Sequence, residues 1–106
     1  MAGNLDNQNF LPIQTRQQAK PPTIASAATF VPLHRFQFVS GAVQLQNITP
    51  NDAQAYQEIV LVFTNAGPGL FLTTGNIFTA YQPIQNRPVT LYYDPSTAKW
   101  YVMSVT

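Results

Sequence analysis

Glu58-Ile59-Val60-Leu61-Val62-Phe63-Thr64 is the stretch on which the fold turns. It is a continuous apolar run, rich in β-branched residues whose side chains pack well on a pleated surface. A run of this kind suits a strand buried on both faces, and its place is the centre of the fold. Asn65-Ala66-Gly67-Pro68-Gly69 breaks it sharply on one side, and Thr49-Pro50-Asn51-Asp52 is a turn signal on the other. Asp52-Ala53-Gln54-Ala55-Tyr56 has room for one helical turn and no more.

Working outward, the same logic repeats. Arg35-Phe36-Gln37-Phe38-Val39 alternates, with Phe36 and Phe38 on one face of a strand. Gly41 allows a turn or bulge, and Ala42-Val43-Gln44-Leu45-Gln46 alternates again with Val43 and Leu45 facing inward. Beyond the break come Leu70-Phe71-Leu72-Thr73-Thr74 and Ile77-Phe78-Thr79-Ala80-Tyr81, the second closed by Pro83. The clearest hairpin is Val89-Thr90-Leu91-Tyr92-Tyr93, a turn over Asp94-Pro95-Ser96-Thr97-Ala98, and a strand from Lys99 to Val105. Asp94-Pro95 suits the start of a type I turn because proline presets the backbone angle. Helix-period stretches are nearly absent and no internal repeat is evident. Six to seven short strands at spacings of about 8–12 residues predict an all-β domain, a small sandwich or barrel of antiparallel strands. Pro32, Pro83 and Pro88, near strand ends, help to blunt its edges.

Residues 1–23 differ. They are rich in Asn and Gln and end at Lys20-Pro21-Pro22-Thr23, and they contain little that a fold can bury. Paired prolines favour an extended spacer. Phe10, Leu11 and Ile13 fall within four positions, which a solvent tail does not require. The segment therefore reads as an N-terminal arm that becomes ordered against a partner, with a disordered tail as the alternative, ahead of a β-domain over 24–106.

Composition excludes several functions. Charged residues make up 8% of the 106 residues, against roughly 25% in ordinary soluble domains. Gln, Asn, Thr and Ser take their place. Such a surface is cheap to desolvate and poor at keeping copies apart, so it suits a subunit covered by neighbours. A chain this small buries a modest fraction of its surface, and with no Cys it has no disulfide to help. Oligomerisation or docking is the remaining support. Arg16, Lys20, Arg35, Arg87 and Lys99 are scattered, and a net charge of +1 offers no cationic stripe for nucleic acid. The opening Met1-Ala2-Gly3-Asn4-Leu5-Asp6 has no secretory pattern, and Ile59–Phe63 is too short to span a bilayer, so no membrane role is expected. Synthesis and folding in a reducing cytoplasm follow.

The chain is also poor in chemistry. The candidate acids and bases are Asp6, Asp52, Glu58, Asp94 and His34. Asp6 lies in the arm, while Asp52 and Asp94 sit at turns, where Asp bonds nearby backbone. A two-carboxylate glycosidase would have to use Asp52, Glu58 or Asp94. No nucleophile motif is present, one His does not make a zinc site, and Gly67-Pro68-Gly69 lacks the Lys of a phosphate loop. Asn47-Ile48-Thr49 matches a glycosylation sequon by coincidence, with Pro50 next. No cofactor, metal or catalytic role is expected. Tyr81, Tyr92, Tyr93, Trp100 and Tyr101 crowd the C-terminal half and raise the alternative of a glycan-binding face. Alternation puts Tyr92 and Tyr93 on opposite faces, and likewise Trp100 and Tyr101. At least half of the set therefore serves a core or a subunit interface.

Thr23-Ile24-Ala25-Ser26-Ala27-Ala28-Thr29, Thr73-Thr74-Gly75-Asn76-Ile77, Asn86-Arg87-Pro88-Val89-Thr90-Leu91-Tyr92-Tyr93-Asp94 and Thr97-Ala98-Lys99-Trp100-Tyr101 together resemble small β-structured modules of tailed-bacteriophage virion proteins. The likeness covers residues 23–106, lies in strand and turn wording, and carries no catalytic signature. It implies a virion structural role, commonly as an oligomer and often a trimer. The free-standing length points to a capsid decoration protein on the outer capsid surface, partnered by the major capsid protein. Phe10, Leu11 and Ile13 would then fill apolar pockets on the shell, Arg16 and Lys20 would meet acidic shell residues, and Phe71, Trp100 and Tyr101 would form the subunit interface. The alternative is a receptor- or glycan-binding module of a head or tail fibre.

Overall fold

The computed structural model of the chain describes residues 22–105. Among them seven strands follow one another with no helix: β1 (Ile24–Ala25), β2 (Thr29–Phe30), β3 (Phe36–Ser40), β4 (Asn47–Ile48), β5 (Gln57–Phe63), β6 (Pro88–Asp94) and β7 (Lys99–Val105). They form a five-stranded sheet in the order β1-β3-β5-β6-β7 and a two-stranded sheet of β2 and β4. The apolar run is the middle strand of the larger sheet, as its composition requires. The fold is all-β.

The pairing is not antiparallel throughout, as the sequence reading expected. β1–β3, β3–β5 and β2–β4 are parallel, and only β5–β6 and β6–β7 are antiparallel. The reason lies in the connections. The chain alternates between the two sheets from β1 to β5, so each return to the larger sheet runs in the same direction. A parallel pair needs a long crossover, and here the strands of the small sheet supply it where a helix is usual. Hydrophobic alternation carries no information on strand direction, so the coil of parallel strands was not legible.

Between the sheets lies one core. Val39, Ile59, Leu61, Phe63, Val89, Leu91, Tyr93 and Trp100 come from the larger sheet, and Phe30, Leu45, Ile48, Phe71 and Ile77 face them. The expected strands over 42–46, 70–74 and 77–81 shrink to single bridges, Leu45 to Phe71, Phe71 to Tyr81 and Ile77 to Trp100. Side chains and close packing do the work of ladders there. Asn76 donates from Nδ2 to the Ile48 carbonyl at 2.7 Å and accepts the Ile48 amide at 2.8 Å. A Cβ on Gly69 would stand 2.1 Å from the Val43 carbonyl oxygen, so only glycine permits this approach. Trp100 Nε1 donates to the Ile48 carbonyl at 2.8 Å, tying the hairpin to the small sheet.

One inward assignment changes. Leu45 is fully buried, but Val43 is 52% exposed. In β3 it is Gln37 and Val39 that point into the core, and Phe36 and Phe38 that point out. Gln37 is tolerated inside because its amide is satisfied: Nε2 donates to the carbonyls of Pro22 at 2.6 Å and Phe38 at 3.0 Å, and Oε1 accepts the Leu33 amide at 3.1 Å. The same bonds pin the first described residue of the chain to the sheet.

Candidate functional site

The outer face of the five-stranded sheet follows from register. Phe36 lies opposite Val60 and Val60 opposite Thr90; Phe38 lies opposite Val62 and Val62 opposite Pro88; Glu58, Tyr92 and Tyr101 form a third row. Pleating sends all of these away from the core. Phe36, 43% exposed, meets Phe38 edge-on with ring centroids 5.3 Å apart. Tyr101 packs on the exposed ring of Phe78 at 4.9 Å, and its hydroxyl shares a 3.1 Å hydrogen bond with Thr97 Oγ1. The face is thus apolar and aromatic, with an Arg35–Glu58 ion pair at one end.

At that end a groove of about 520 Å3 opens between the segment before β3 and the loop before β5. Pro32, Leu33, His34 and Arg35 form one wall; Asn51, Asp52, Tyr56 and Glu58 lie on the other. Tyr56 stacks on Tyr92 with centroids 5.9 Å apart and planes inclined by 27°. Desolvation raises the Tyr92 phenol above its ordinary pKa, with the nearby Tyr56 and Asp94 adding to the shift. Tyr92 therefore remains a protonated hydrogen-bond donor across the neutral range.

The sequence-predicted residues divide sharply. Phe10, Leu11, Ile13, Arg16 and Lys20 lie outside the described residues. Phe71 and Trp100, expected at a subunit interface, are wholly buried in the chain's own core. Tyr101 does lie on the outer face, half-buried. Of the titratable groups, Asp94 caps its turn by accepting the Ser96 hydroxyl at 2.7 Å and the Ser96 amide at 2.9 Å. Those bonds, with lesser ones from Thr97, hold its carboxyl below the ordinary range. Asp52 caps the loop before β5 in the same way, accepting the Gln54 amide at 2.9 Å. Among the described residues no group of three or more His, Cys, Asp or Glu is placed to hold a metal ion, and no helix is long and apolar enough to cross a membrane. Tyr56, Phe36 and Phe38 were not singled out as surface residues from sequence. An aromatic ring four residues after the Pro50-Asn51-Asp52 turn was the available signal for Tyr56.

Comparison with known proteins finds no matching family model, no similar curated protein and no similar solved structure.

Proposed function

We propose that this chain is a virion structural protein, a capsid decoration protein that binds the outer capsid surface as an oligomer, a trimer being favoured, and stabilises it. The observation that supports this most is the apolar outer face, where Phe36, Phe38, Val60 and Tyr101 lie on a sheet of a charge-poor chain. Covering such a face releases water from apolar area at little cost in ion desolvation. In this reading the face packs against neighbouring copies, which takes over the role first given to Phe71 and Trp100. The two sheets act as a small sandwich that stands above the shell. Residues 1–23 run along the shell subunits, launched from the point where Gln37 holds Pro22. Several arms acting together raise the effective concentration of each contact.

The test is co-sedimentation with shells assembled from the major capsid protein, comparing the full chain with one that starts at Thr23. Saturable binding by the full chain, reduced on removal of the arm, is expected. Binding by neither chain overturns decoration.

A further inference from the structure

The groove at the Arg35–Glu58 end of the sheet has features that docking on a shell does not need. Tyr56 is 62% exposed, yet the loop that carries it is held stiffly. Asn51 donates its amide to Gln57 Oε1 at 2.8 Å, and Gln57 Nε2 donates to the carbonyls of Asp52 and Ala55 at 2.8 and 3.2 Å. The Gln54 amide bonds Asp52 Oδ1, and the Ala55 amide bonds the Asp52 carbonyl. One ring face of Tyr56 rests on Tyr92, which fixes its plane and leaves the other face free. An exposed aromatic ring that is already immobilised loses little entropy when a ligand stacks on it.

We propose that this groove binds a neutral saccharide, with the free face of Tyr56 as its stacking platform. The C–H bonds on one face of a pyranose ring carry slight positive charge and fit the negative face of an aromatic ring. Around that ring the groove supplies what sugar hydroxyls need: the Arg35 guanidinium and the Asn51 side-chain amide as donors, the Glu58 and Asp52 carboxylates as acceptors, and the His34 imidazole for either role. Leu33, also exposed, offers an apolar contact on the opposite wall. The charges set the class. Arg35 is already paired with Glu58, and Asp52 adds a second carboxylate, so the groove has no surplus positive charge for a sialylated or sulfated sugar. A volume of about 520 Å3 falls within the usual range of small-ligand sites, roughly 300–1,000 Å3. Glycan binding by the Trp100 ring is excluded by its burial; the platform is Tyr56.

The experiment is amide chemical-shift titration of the full chain with neutral gluco-, galacto-, manno- and N-acetylglucosamine oligosaccharides, and with a sialylated trisaccharide and a proline-rich peptide as competitors for the assignment. Saturable shifts at Leu33, Asn51, Tyr56 and Glu58 with at least one neutral sugar are expected. Tyr56→Ala should weaken that binding about tenfold or more, and Tyr56→Phe should retain most of it, which separates loss of the platform from loss of the fold. No shift with any neutral sugar, unchanged binding by Tyr56→Ala, or shifts produced by the peptide alone would each overturn the proposal. Capsid co-sedimentation of Tyr56→Ala reads decoration separately: the variant should still bind shells.

Discussion

Two aromatic pairs sit side by side in the β6–β7 hairpin, one residue apart in sequence, and they have opposite fates. Tyr93 and Trp100 face each other across the strands with centroids 5.0 Å apart and are buried in the core. Tyr92 and Tyr101 are paired in the same ladder but stand on the outer face, half-exposed. Both pairs are aromatic and lie on the same two strands, so the difference lies chiefly in what the rest of the chain brings to each face. The small sheet and the segment around Ile77 cover the first pair, and Ile48 offers its carbonyl to the Trp100 indole. The second pair has Tyr56 and Phe78, themselves exposed, as its ring partners among the described residues. Aromatic pairing in one ladder supports the fold on one side and remains available to a partner on the other.

The contrast can be broken hardest at Trp100. Trp100→Ala removes a wholly buried indole and one of the two donors to the Ile48 carbonyl, so it should destabilise the domain by about 3–5 kcal/mol. Chemical denaturation measures this, and a loss as small as that of a surface residue would contradict the core assignment. On the other face, Tyr101→Ser forfeits a ring contact with Phe78 and should cost about 1 kcal/mol. In the proposed decoration role, where this face packs between copies, the same variant should also lower the mass read by analytical ultracentrifugation. Equal stability losses for Trp100→Ala and Tyr101→Ser would erase the distinction between the faces.

The smallest effect concerns the turn that keeps the two pairs on their own sides. Asp94 has its carboxyl pKa lowered by Ser96, so its contribution is present above the unfolded carboxylate value, about 4. That contribution is lost as the pH falls through the lower folded value. Asp94→Asn keeps an acceptor for the Ser96 amide but cannot titrate. Its stability should therefore fall less than that of the parent chain between pH 5 and 2, as read by thermal melts across that range. A parent and variant with parallel acid profiles would show that the turn carries no such linkage.

Alternation along a strand specifies two faces without saying which is inside, and that limit accounts for most differences between expectation and structure. Alternation set Phe36 and Phe38 on one face of β3 and left the choice of inner face open; the structure turns Gln37 and Val39 inward. Burial of Gln37 depends on Pro22 and Leu33 bringing backbone groups to its amide, which no local pattern reveals. Phe71 and Trp100 were assigned to an interface because aromatic residues suit interfaces as well as cores. Tyr56 gained its significance only when the loop before β5 met Tyr92 on β6.

By itself the sequence determined the all-β class, the central place of the Glu58–Thr64 run, the C-terminal hairpin with its Asp94-Pro95 turn, and the opposite facing of Tyr92 and Tyr93. These are short-range properties, set by side-chain shape, a period of two and turn chemistry. Tertiary structure alone decided the parallel coil of β1, β3 and β5, the inward turn of Gln37, the burial of Phe71 and Trp100, and the groove at Tyr56. Each depends on segments far apart in the chain meeting in space, and the free energy of such meetings belongs to the packed whole rather than to any stretch of residues.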